Sequence, residues 1–188
     1  LGSPSAFRLF FGLGLSSASA FAASWGIGAT ATAGSVKFSS TVEATSTIHG
    51  GNAAVEDSLM EITGTHTGAV VLTQAGSGDA GFKTSGSTAL SVTGAITATT
   101  DGDGVITSAN TNRATFAAVG TDAKKILSVT VSSGADALFG AAVAANTLTI
   151  TGEATVQAAD NESETIAMGA SSALIIDDTL TNGVNVFN

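Results

Sequence analysis

A chain of short β-strands wound into stacked parallel coils is the fold class this sequence predicts, and three observations predict it. Apolar and hydroxylated residues alternate in short runs, as in Leu148-Thr149-Ile150-Thr151, and a period of two places one face inward and one outward. There are 23 glycines and a single proline, so turns built on glycine are frequent and the strands between them are not interrupted by proline. A unit of the form Leu-x-Val/Ile-Thr-Gly recurs at 90–94 and 148–152, with fainter copies at 60–64 and 127–131. Gly64 and Gly94 lie 30 residues apart and Gly94 and Gly152 lie 58 apart, which suits a coil of roughly 20–30 residues, as in parallel β-solenoids. A β-sandwich is the close alternative, because Thr-rich strands and Gly turns also arise there without a repeat.

Taken in order, residues 1–35 stand apart from the rest. Arg8 is their only charged residue, and the apolar run Leu9–Leu15 leads into Ala20-Phe21-Ala22. A basic residue, a short apolar region and an Ala-x-Ala site resemble a secretory signal; the same segment also reads as an apolar assembly arm. Residues 36–188 form a Thr/Ser/Gly-rich β domain. Val36–Phe38, Thr41–Glu43 and the neighbourhood of Ile48 read as short strands, followed by 59–64, 68–73 and 89–100. Asp101-Gly102-Asp103-Gly104 is a turn, and 105–107 and 114–117 resume the strands. Residues 136–145 lose the alternation and are rich in alanine, the best helix former, which predicts a short helix weakened by Gly140. The alternation returns at 147–158, and 166–168, 174–176 and 184–187 supply the last strands. The sparsely charged terminal segments, 1–35 and 180–188, are expected in subunit contacts.

Composition narrows the function classes. Six basic against fifteen acidic residues give a net charge of −9, and the only adjacent basic pair is Lys124-Lys125, so a nucleic-acid partner is not expected. Charged residues make up 11% of the chain, far below the roughly 25% of an average soluble domain, which points to burial in an assembly. No apolar run is long enough for a spanning helix. The absence of cysteine removes disulfides and thiolate chemistry.

The repeated units at 59–64, 89–100 and 126–158, with their Ala, Thr and Ser spacers, resemble bacterial repetitive surface proteins: autotransporter passenger domains and surface-layer proteins. The tandem Gly-Gly-x-Gly-x-Asp nonapeptides of calcium-binding surface-layer repeats are missing. The resemblance implies an extracellular or cell-surface scaffold.

Few residues suggest chemistry. His49 and His66 are the only histidines, lack metal-ligand spacing, and are expected at ordinary surface positions. Asp101 and Asp103 are the candidate calcium ligands, since two carboxylates and pliable carbonyls share one turn. An EF-hand is ruled out by Val105 at the fifth position and Asn112 at the twelfth. Asp177-Asp178 and Asp160, Glu162 and Glu164 are further acidic groups, and Asn161-Glu162-Ser163 matches a glycosylation sequon. A single Trp and no Tyr leave few platforms for sugar, so an enzyme acting on polysaccharide is not expected. The expected function is a non-enzymatic structural subunit that associates with itself in an extracellular or cell-surface layer or filament. The alternative is a virion decoration or adhesin-type binding module.

Overall fold

A computed structural model describes residues 34–51, 57–74, 76–157, 160–177 and 186–187. The chain is a parallel β-solenoid of about six turns, and no helix occurs among the described residues. The solenoid reading therefore holds over the sandwich. Most of residues 1–35, including the signal-like stretch, lies outside the described residues. No helix among the described residues is long and apolar enough to cross a membrane.

Strands are numbered in chain order. The long face joins β1 (Ser35–Phe38), β3 (Ser58–Ile62), β5 (Ala80–Gly86), β8 (Asp103–Asn110), β10 (Ile126–Val131), β12 (Ala144–Ile150), β14 (Asp160–Met168) and β16 (Val186–Phe187). The second joins β6 (Leu90–Val92), β9 (Arg113–Phe116), β11 (Asp136–Phe139), β13 (Glu153–Val156) and β15 (Ala173–Ile176). The third joins β2 (Ser46–Gly50), β4 (Val70–Gln74) and β7 (Ile96–Ala98). Every strand pairing is parallel and in register. The third face narrows along the axis to single bridges at Val119 and Val143. Coil length follows it. Ser35 pairs with Leu59, 24 residues on, and Ser58 with Ala80, 22 on; Ile126 pairs with Ala145, 19 on, and Ala145 with Ser163, 18 on.

Because strands stack in register, each inward position becomes a ladder of like residues. Met60, Phe82, Ile106, Val129 and Leu148 form one on the long face, all buried. Val92, Phe116, Phe139 and Val156 form another on the second face, with the Phe116 and Phe139 rings stacked at 5.2 Å. Full burial of such a side chain is worth roughly 1.5–3 kcal/mol, and these ladders hold the solenoid together without disulfides.

The helix expected at 136–145 is not formed. Its first residues are β11 and its last two begin β12. Ala137 stacks between Ala114 and Ala154, all fully buried, so alanine is used there for its small volume between coils. Parallel pairing on both sides of β11 outweighs helix propensity, which is a weak prior once tertiary contacts compete.

The recurrent Thr-Gly unit is a corner rather than a rung. Leu90–Val92 lies on the second face and Leu148–Ile150 on the long face, so the two best copies occupy different sides. Their common feature is the turn after each strand. The hydroxyls of Thr63, Thr93 and Thr151 donate to the carbonyls of Phe38, Thr67 and Val131 in the preceding coil. The glycine after each threonine lies so close to that coil that a Cβ on Gly94 would overlap the Gly68 carbonyl. The spacings between these glycines therefore measure distances between different corners, and the true coil is shorter than 30 residues.

Candidate functional site

The acidic turn lies where the third face passes into the long face. Gly102 and Gly104 take φ of 78° and 82°, which glycine adopts without strain, and the turn folds tightly around them. Its two carboxylates brace different neighbours. Asp101 Oδ1 accepts the Lys125 N–H of the next coil at 2.8 Å. Asp103, only 8% exposed, accepts the Gln74 N–H at 3.3 Å and the Thr99 hydroxyl at 3.4 Å through Oδ2. No group of three or more His, Asp or Glu side chains suited to hold a metal ion occurs among the described residues.

Register adds two acids to this corner that lie far apart in sequence. Asp57, Asp79 and Asp103 occupy one position on successive rungs. The Asp79 N–H donates to Asp57 Oδ1 at 2.9 Å. Burial pushes the Asp79 carboxyl above its usual range, and the like charges of Asp57 and Asp103 add to the shift. A second cluster stands on the outer surface of the long face, where Lys37, Glu61 and Lys83 are in register. Glu61 pairs with Lys37 at 2.6 Å and accepts the Ser85 hydroxyl at 2.5 Å, which together hold its carboxyl below the usual range.

His66 is not at the surface as expected; it is fully buried. It bridges Val42 and Val92 on the second face, in the apolar ladder that continues through Phe116. Its Nε2 is 2.9 Å from Ser46 Oγ, and its ring meets Phe82 edge-on at 6.0 Å. A Ser–His contact at this distance is the geometry of an activated nucleophile. Here Ser46 is 4% exposed, and among the described residues no carboxylate or other side chain orients the ring from Nδ1, so the pair is closed inside the core. Burial lowers the imidazole pKa, opposed in part by the Gly68 backbone, and so favours the neutral ring. The isolated alternation Thr65-His66-Thr67 was the signal in the sequence for an inward histidine.

Surface concavities are shallow. One of about 290 Å³ runs along the second face beside Asp136 and Glu153. These acids are neighbours on one ladder rather than opposed across a cleft, and Arg113 engages Asp136 at 3.2 Å. Another of about 350 Å³ is lined by Ser91, Thr115 and Phe116, among others. Asp177 accepts the Gln157 amide at 2.9 Å. Asp178 and the side chains of Asp160, Asn161, Glu162 and Glu164 lie outside the described residues. Comparison with known proteins gave no matching family model, no similar curated protein and no similar solved structure.

Proposed function

We propose that the chain is a structural subunit that associates with itself in an extracellular or cell-surface layer or filament. The observation that carries this reading is an apolar patch left exposed on β14 and β15. In the earlier coils the inward ladder positions are buried, as with Ile150 and Val156. One rung later the same ladders reach Met168 and Ile176, which are 48% and 45% exposed. Ile175 beside them is 44% exposed, and among the described residues β15 is the outermost strand of its sheet. An exposed strand with apolar side chains is a template for adding a further strand. The low charge and the sequence resemblance to surface scaffolds agree with this use, as does the closure of the Ser46–His66 pair within the core.

Sedimentation velocity over a concentration series, with electron microscopy of the same samples, tests it. Concentration-dependent assembly that Met168→Glu and Ile176→Lys suppress is the expected result. A monodisperse monomer at high concentration would count against the proposal.

A further inference from the structure

The outward side of the long face carries a lattice that the assembly reading does not use. β8, β10, β12 and β14 are parallel and in register, so their outward residues line up across rungs. Thr107, Thr130 and Thr149 form one row. Ser128, Thr147 and Thr165 form a second, two residues away along each strand. Val105 begins the second row and Ala167 ends the first, so the two rows hold no charged side chain from β8 to β14. Charge returns on the earlier rungs, at Lys83 and Glu61. None of the six hydroxyls is spent on a hydrogen bond to another described residue, and all six side chains are partly or fully exposed.

The dimensions are set by the backbone. Neighbouring rungs are about 4.8 Å apart and alternate residues along a parallel strand about 6.6 Å apart. Five of the six residues are threonine, whose β-branch restricts χ1, so hydroxyl and methyl are held in one orientation at little entropic cost. The result is a two-dimensional array of hydroxyls and methyls without charge, with its repeat fixed by the sheet.

We propose that this face binds crystalline water, adsorbing the protein to the surface of ice. Ice is a partner periodic in two dimensions, with oxygen repeats close to those of the array. Each threonine offers a hydroxyl to hydrogen-bond the lattice and a methyl to order the water beside it. A soluble ligand or an irregular protein surface would meet only a few of these groups in register. A crystalline polysaccharide shares the periodicity, but sugar platforms are aromatic, and the large rings Phe82, Phe116 and Phe139 are all buried in the core.

The test measures thermal hysteresis and inhibition of ice recrystallisation by the purified chain. Thr130→Tyr and Thr149→Tyr disrupt the centre of the array, and Thr115→Tyr on the second face is the control. The expected result is faceted ice crystals and a hysteresis gap with the native chain and the control, and loss of both with the two array variants. Circular dichroism confirms that each variant is folded, and sedimentation shows that its association state is unchanged, which separates this surface from the assembly edge. Ice growth no different from that in an equal mass of serum albumin would overturn the proposal. So would array variants as active as the native chain, or adsorption to microcrystalline cellulose without any effect on ice.

Discussion

His66 makes the stability of the solenoid depend on pH in a window where few other groups titrate. The ring is fully buried among Val42, Val92 and Phe82, with its Nε2 committed to Ser46. A proton added to it has no described carboxylate as partner, and burial disfavours the charged form, so the folded-state pKa lies below the unfolded value of 6.5. A lowered base binds fewer protons folded than unfolded. Stability is therefore full above the unfolded pKa, falls as pH drops below it, and levels off below the folded pKa. Each proton taken up on unfolding removes at most about 1.4 kcal/mol per pH unit. The loss between about pH 7.5 and 5.5 is at most about 1.4 kcal/mol, the limit reached by a ring that stays neutral when folded. With a urea m-value of about 1–3 kcal/mol/M, that limit corresponds to a midpoint lower by roughly 0.5–1.4 M.

Urea unfolding across this window, compared between the native chain and Ser46→Ala/His66→Leu, isolates the effect. The double substitution removes the imidazole together with the hydroxyl it would leave unpaired, and His49 is present in both proteins and cancels. The native midpoint should fall with pH more steeply than that of the variant. Identical slopes would mean that His66 takes up its proton equally well in the folded state, and the account of a closed neutral ring would be wrong.

Phe139→Ala should destabilise the chain by about 3–5 kcal/mol, because it empties a rung between Phe116 and Val156; a thermal melt reads this directly. Asp79→Asn should stabilise the chain near neutral pH by about 0.5 kcal/mol by removing a partly buried charge and its repulsion by Asp57 and Asp103. A carboxyl whose folded pKa is raised disfavours the folded state above that pKa, so the gain should vanish as pH falls below the unfolded value of 3.8. Asp103→Ala should cost about 1 kcal/mol by removing the acceptor of the partly buried Gln74 N–H, while Asp103→Asn keeps an acceptor there and costs less. With Asp101 and Asp103 acting as braces, a chelator should leave the native melting temperature unchanged; a drop would support calcium at this turn.

The strands were legible because alternation is a local property. Val129 and Leu148 each sit between hydroxylated neighbours, and each is buried while those neighbours are not. The helix expectation at 136–145 failed for the opposite reason. Ala137 has no local reason to be in a strand; its reason is Ala114 and Ala154, 23 residues before it and 17 after it. The same limit hid the site candidates. Asp57, Asp79 and Asp103 become one cluster only through register, and His66 meets Ser46 across 20 residues.

Register also explains why the unit pointed to the correct fold although the spacings between its copies are not themselves the coil length. Thr93 and Gly94 are chosen by a corner: the hydroxyl ties it to the coil beneath, and the missing side chain lets that coil approach. Any corner of a parallel solenoid makes this demand, so the unit recurs at whichever corner the chain turns tightly, and its spacing is no single period. The flat strands make a different demand, apolar inward and β-branched outward, and meet it with threonine on the long face. One residue type thus serves two purposes. Corner threonines such as Thr93 and Thr151 spend their hydroxyls on the coil below. The face threonines Thr107, Thr130 and Thr149 keep theirs for solvent. Composition cannot distinguish these two sets. The rung partners do, and the set left unspent is the one that can act on a partner outside the chain.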